Sequence, residues 1–126
     1  MRNPEHLLPQ RPDQPVILVA DDDVMVVNIV RIALEKAGCF VLTAQNGAEA
    51  LELSHKFPGS IHALVSDIKM PRMDGLELRE RILSERPATK VLLMSGEFEG
   101  PTTGPFLPKP FTIGVLQKRV RELLAA

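Results

Sequence analysis

From Val16 onward, apolar positions fall into two rhythms that alternate along the chain. Short, nearly continuous apolar runs at Val16–Ala20, Phe40–Ala44, 63–66, 90–94 and 106–107 read as strands buried on both faces. Between them, apolar residues recur three and four apart, the spacing of one helical face. Val27, Val30, Ala33, Leu34 and Ala37 predict the inward face of a helix over about 24–37, stopped by Gly38. A second helix follows Asn46-Gly47-Ala48-Glu49, where Asn46 can cap and Glu49 holds the capping-box position, and Pro58-Gly59 ends that unit. A third opens at Asp74-Gly75-Leu76-Glu77 with the same spacing and ends before Pro87. The last starts near Thr112, with Ile113, Leu116, Val120, Leu123 and Leu124 inward and Lys118, Arg119 and Arg121 on its outer face. Strand and helix alternating in this way predict an α/β fold, a doubly wound five-stranded parallel sheet with helices on both faces.

The chain has 126 residues, the length of one domain, with 44% hydrophobic and 25% charged residues. Fifteen basic and sixteen acidic residues leave a net charge of −1, which gives no general attraction to nucleic acid or to a membrane surface. The single cysteine, Cys39, excludes an internal disulfide and suits a reducing, cytoplasmic setting; beside Gly38 it reads as a small half-buried hydrophobe. No apolar run approaches the length of a membrane-spanning helix, and the N-terminus lacks the apolar stretch of a signal peptide. Pro4, Pro9, Pro12 and Pro15 forbid a helix over residues 1–15, which read as a flexible Pro-rich arm before a domain at 16–126.

The chemistry gathers at the strand ends. The first strand runs into Asp21-Asp22-Asp23 and the third into Asp67. In a doubly wound sheet, ligands bind beyond the carboxyl ends of the strands, where strand order reverses. Carboxylates crowded there repel, by roughly 4 kcal/mol per pair at 4 Å and an effective dielectric of 20. They suit Mg²⁺, which takes one or two carboxylates, waters and often a phosphate. Ser95 and Lys109 stand at the ends of the fourth and fifth strands. A carboxylate nucleophile, a metal-binding acid pair, a hydroxyl and a fixed cation are together the parts needed for phosphoryl transfer to an aspartate. Asp23 and Asp74 read instead as helix caps. His6, His55 and His62 show no ligand spacing, and none reads as a phosphodonor.

This constellation resembles the receiver domain of two-component response regulators. The motifs are the acid pair after the first strand, Ser66-Asp67-Ile68-Lys69-Met70-Pro71, Met73-Asp74-Gly75, Met94-Ser95-Gly96 and Lys109-Pro110-Phe111, spread over residues 16–124. The resemblance implies a flavodoxin-like sheet of order 2-1-3-4-5, with Asp67 the phosphoacceptor for a histidine kinase or phosphotransfer protein. It implies that Asp21, Asp22, Asp67 and the backbone carbonyl of Lys69 hold Mg²⁺. It makes Ser95 the hydroxyl that swings toward the phosphate, Lys109 the phosphate-contacting lysine, often before a cis proline, and Phe106 the aromatic switch. It also implies self-phosphorylation and autodephosphorylation at Asp67 as the only chemistry. With no output domain after the last helix, which ends near Ala125-Ala126, a protein partner or onward phosphate relay, rather than nucleic acid or membrane directly, is the expected output.

The chain departs from the family between Ser95 and Lys109, only 14 positions apart. Residues 96–105 hold three glycines and two prolines without apolar periodicity, so the fourth crossover helix of the family is expected to be missing or reduced to a loop that orders on phosphorylation. Lys69 and Glu97, each two residues past a site residue, can pair with one another, or Lys69 with the phosphate. Two other readings fit parts of the pattern. Asp21-Asp22-Asp23 also matches the Asp-x-Asp signature of haloacid-dehalogenase-like Mg²⁺-dependent phosphatases, with Asp21 as nucleophile, although no acidic motif follows Lys109 as those enzymes need. A non-phosphorylated docking module is the third.

Overall fold

A computed structural model describes residues 8–96 and 103–126. The apolar runs form β1 (Val16–Ala20), β2 (Phe40–Ala44), β3 (Ala63–Asp67), β4 (Lys90–Ser95) and β5 (Phe106–Pro108), all parallel, in the order β2-β1-β3-β4-β5. Among the described residues four helices connect or follow them: α1 (Val24–Lys36), α2 (Gly47–Lys56), α3 (Gly75–Glu85) and α4 (Ile113–Ala125). Strand order reverses at β1, so the crevice beyond the ends of β1 and β3 is the switch point expected to bind a ligand.

Successive strand residues point to opposite faces and build two cores. Leu18, Ala20, Leu64 and Leu93 pack with Ala50 and Leu51 of α2 and Leu78 and Ile82 of α3. Ile17, Val19, Val65, Leu92 and Met94 pack with Val30, Ala33 and Leu34 of α1 and Leu116, Val120 and Leu123 of α4. Each of the large side chains contributes about 1.5–3 kcal/mol by leaving water. Cys39 is buried in the second core rather than half-buried.

The helices open as the polar spacing predicts. Asp23, Asn46, Asp74 and Thr112 each accept a backbone N–H of the first turn. Gly38, at φ 92°, ends α1 and lets Cys39 N–H return to the Leu34 carbonyl at 3.0 Å. β3 and β4 each extend one residue beyond the apolar run, because Ile68 N–H donates to Met94 O (3.0 Å) and Lys109 N–H to Ser95 O (3.1 Å). The ladder thus carries Asp67 and Ser95 as part of the sheet.

Three further details differ from the expectation. Ile113 is 50% exposed, because it stands in the first turn of α4, ahead of the stretch that meets α1. Ala37 is exposed as the residue that closes α1. Arg119 is not a wholly solvated cation: it is half-buried and donates to the Phe106 carbonyl at 2.6 Å, tying α4 to β5. The expectation of a missing helix between β4 and β5, and the pairing of Lys69 with Glu97, fall on residues 97–102, outside the described residues.

Arg86 is an organising residue that periodicity does not reveal. Its guanidinium donates to Ser54 Oγ (2.9 Å) and to the carbonyls of Ser54 (2.8 Å), Phe57 (3.0 Å) and Gly59 (2.7 Å), closing the end of α2 against α3. His55 meets Glu85 at 2.6 Å on the surface, and His62 Nδ1 accepts from Val16 N–H at 2.9 Å.

Candidate functional site

The end of β1 is held by Asp21 N–H donating to Ala44 O at 3.2 Å, so Asp21 continues the strand while Asp22 begins the turn. Asp21 is fully buried, Asp67 is 7% exposed, and Asp22 lies open to solvent. One carboxylate oxygen from each lies within 4.8 Å of the others. The three acids that the sequence places at two strand ends do share one pocket.

Lys109 reaches this cluster from the end of β5. Its Nζ donates to Asp21 Oδ2 at 2.7 Å and lies 3.6 Å from Asp67 Oδ1. Its backbone is tied to Ser95, and its bond to Pro110 is cis. Ser95 is buried at the end of β4, one position past Met94, which pairs with Asp67. Lys69 lies exposed in the loop after Asp67, beside a shallow hollow lined by Asp22, Met70, Pro71 and Leu76. Phe106 is half-buried and packs on the α2–α3 side of the sheet.

One ammonium among three carboxylates leaves the pocket with excess negative charge. Burial and then the Asp21 charge push the Asp67 carboxyl up to about 6, although Lys109 pulls the other way and Asp22 adds to the rise. Burial works against the Lys109 ammonium, but its hydrogen bond to Asp21 and the Asp21 and Asp67 charges outweigh it and hold its pKa above the usual value.

The donor set fits a hard divalent cation. All the side-chain donors are carboxylate oxygens, the local charge is uncompensated, and exposed Asp22 leaves an approach from solvent. Asp21 Oδ1 accepts from Asp23 N–H at 2.9 Å and Oδ2 from Lys109, and each oxygen retains a second lone pair. Asp21 would be the nucleophile of the phosphatase alternative; its complete burial and its two hydrogen bonds oppose that role.

Residues 17–121 match the family model described as the response regulator receiver domain. The chain belongs to that family. It is a phosphoacceptor receiver domain of two-component signalling, with the family's sheet order. It is 35% identical over 118 residues to the response regulator receiver protein CpdR of Brucella abortus, covering 87% of this chain and 97% of that one. It is 37% identical over 117 residues to the sensor kinase CckA of the same organism, covering 86% of this chain but only 12% of the kinase. Among solved structures it superposes on the chemotaxis response regulator CheY4 of Vibrio cholerae with a TM-score of 0.77 at 28% identity, covering 87% of this chain and 98% of that one. The receiver domain from the hybrid histidine kinase CckA gives a TM-score of 0.72 at 34% identity, covering 86% and 98%. Receiver domains bind Mg²⁺ at an acidic pocket, and the Asp21, Asp22 and Asp67 cluster is one of that composition. No helix among the described residues is long and apolar enough to cross a membrane.

Two features beside the site lie outside what the motifs announce. Met25, Ile29 and Ile32 of α1 are exposed at helical spacing, together with Val24. A groove of about 550 Å³ joins Val26 and Ile29 to Gly96, Lys109, Pro110 and Phe111. The signal was present as a second apolar stripe in a helix whose inward face was already accounted for. Gly75 stands in the Met73-Asp74-Gly75 motif and Gly47 at a helix start, but nothing in the sequence says which backbone atoms each of them touches in the loop after Asp67.

Proposed function

We propose that Asp67 is the phosphoacceptor and that the receiver unit is 16–126, with residues 1–15 an arm outside it. The observation that carries this reading is the position of Asp67: slightly exposed, within 4.8 Å of two further carboxylates and 3.6 Å from an ammonium. With its pKa near 6, Asp67 is ionised at neutral pH and available to attack.

A carboxylate oxygen of Asp67 attacks the phosphorus of a phosphohistidine. The new P–O bond forms as the P–N bond breaks, and the imidazole leaves and takes up a proton. Asp21, Asp22, Asp67 and the Lys69 carbonyl would hold Mg²⁺, which supplies positive charge to the phosphoryl oxygens when bound. Lys109 exchanges part of its hold on Asp21 for a phosphoryl oxygen, and the Ser95 hydroxyl donates to another. Phe106, next to the β4–β5 pairing that positions Ser95 and Lys109, is the switch that reports this closure. Self-phosphorylation and its hydrolysis at Asp67 are the whole of the chemistry.

The donor is a histidine kinase or phosphotransfer protein in the cytoplasm. The apolar surface of α1 and the groove beside Lys109 favour a protein landing next to Asp67, since contiguous exposed apolar residues mark interaction surfaces. The output is a protein contact rather than nucleic acid or membrane, consistent with a net charge of −1.

Intact mass after incubation with Mg²⁺ and acetyl phosphate tests this. One phosphoryl group on the wild type and none on Asp67→Asn is the expected result. Labelling that survives Asp67→Asn overturns it. Steady phosphate release lost only with Asp21→Asn points to the phosphatase. A wild type that stays unlabelled by acetyl phosphate and by phosphohistidine donors would be a docking module.

A further inference from the structure

The loop between Asp67 and α3 is squeezed from two sides by helix starts that have no side chain at the point of contact. Gly75 opens α3, and its N–H donates to Ile68 O at 2.7 Å. A Cβ on Gly75 would overlap the carbonyl oxygen of Asp67 and lie 3.0 Å from both the Asp67 carbonyl carbon and Ile68 Cα. Gly47 opens α2, and a Cβ there would overlap the carbonyl oxygen of Met73 and lie 2.8 Å from Met73 Cβ. In both cases the obstacle is mainly backbone, which cannot swing aside as a long side chain can. Neither glycine needs its backbone freedom, since neither has a positive φ; what each supplies is space. The loop they hold is itself tight: Arg72 sits at φ 70°, and Met73 N–H donates to Pro71 O at 2.8 Å.

The geometry points to Gly75 and Gly47 as positioning residues of the acceptor: two bare helix starts clamp the segment from Asp67 to Met73 and set where the Asp67 carboxylate and the backbone at Lys69 stand. This rests on Asp67 and Lys69 serving the site as proposed above. A methyl on Gly75 pushes directly on the peptide of Asp67. A methyl on Gly47 pushes on the far end of the loop, at Met73, and acts more weakly. Other glycines provide the contrast: a Cβ on Gly114, in the first turn of α4, meets nothing within 4 Å.

The test compares Gly75→Ala, Gly47→Ala, Gly114→Ala and Ile82→Ala with the wild type. Ile82 is fully buried on α3, so its truncation loosens the helix without touching the loop. Two readouts precede any phosphorylation: the amide NMR shifts of residues 67–73 in the metal-free protein, and the Mg²⁺ dissociation constant by titration calorimetry. Displacing a group that orients metal ligands costs about tenfold or more in metal affinity. Gly75→Ala is therefore expected to move the amide shifts throughout the loop and weaken Mg²⁺ at least to that extent. Gly47→Ala should move chiefly the shifts near Met73 and weaken Mg²⁺ less. Gly114→Ala and Ile82→Ala should leave the constant unchanged.

Gly75→Ala matching the wild type in both readouts overturns the proposal, and so does Ile82→Ala weakening Mg²⁺ as much as the glycine variants. If Gly75→Ala does not fold, Gly47→Ala carries the same decision through the same two readouts. Wild-type protein that binds Mg²⁺ but takes no phosphoryl group counts against the acceptor role of Asp67 and leaves the clamp to be judged on these measurements.

Discussion

Replacing Asp67 by asparagine should make the metal-free protein more stable, and by an amount that grows with pH. The site holds Asp67 among Asp21 and Asp22 with only Lys109 to offset them, and burial removes much of the water that would otherwise solvate its charge. Its pKa rises from an ordinary 3.8 to about 6 in the folded state. A raised carboxyl pKa means that the folded protein holds a proton which the unfolded chain has already lost. Below about pH 3.8 both states are protonated at Asp67 and the group costs nothing. Between there and about 6, stability falls as pH rises; above 6 the full penalty stands. At about 1.4 kcal/mol per tenfold in proton affinity, that penalty is about 3 kcal/mol. The Asp67→Asn substitution keeps the shape without the charge, so urea denaturation followed by circular dichroism in EDTA should give a difference of about 3 kcal/mol at pH 8, shrinking toward zero near pH 4. Mg²⁺ should narrow the gap from the other side, adding about 1.4 kcal/mol to the wild type at ten times its dissociation constant. A variant no more stable than the wild type at pH 8, or a gap that does not change with pH, would refute the argument.

Three further outcomes follow from contacts around the site and the core. Lys109→Met leaves fully buried Asp21 without its counter-charge, and should destabilise the metal-free protein by about 3–5 kcal/mol in the same urea assay. Arg86→Ala removes four hydrogen bonds at the end of α2 and should cost about 2–3 kcal/mol by thermal or urea melting, while labelling by acetyl phosphate proceeds at the wild-type rate. Arg72→Gly relieves a left-handed backbone that L side chains adopt at a cost of about 1–2 kcal/mol, partly offset by the flexibility of glycine in the unfolded chain; a gain of up to about 1 kcal/mol should appear as a higher urea midpoint.

What could be read from the chain, and what could not, divides along a physical line. β1, whose every residue is buried, announces itself as an unbroken apolar run, because a strand covered on both faces has no polar side to show. Asp23, Asn46 and Asp74 are legible as caps, since a capping side chain bonds to a backbone N–H two or three residues away. The acids at the ends of β1 and β3 are legible for a related reason: strand ends locate themselves, and parallel topology brings neighbouring ends together. Interactions between segments distant in sequence leave no such trace. Nothing near Arg86 says that it will bond to carbonyls about thirty residues earlier, and nothing near Arg119 points to Phe106.

Gly75 shows the same limit at the heart of the site. Its neighbours identify a helix start, but only the packed structure shows the Asp67 carbonyl where a side chain would go. Motif residues with chemical groups are recognised by what they can do; a glycine acts here by what it leaves out. The pocket around Asp67 combines both kinds. The carboxylates and Lys109 set its charge, and that arrangement is costly, since burial and then the neighbouring carboxylates raise the Asp67 pKa against its own ionisation, more than Lys109 lowers it. Repelling carboxylates move apart unless the backbone beneath them is held. The β3–β4 ladder fixes Asp67 from one side through Ile68 N–H and Met94 O, and the bare start of α3 fixes it from the other. The pocket proposed to take a cation and a phosphoryl group therefore needs a rigid floor, and the proposed floor lies where a side chain has been omitted.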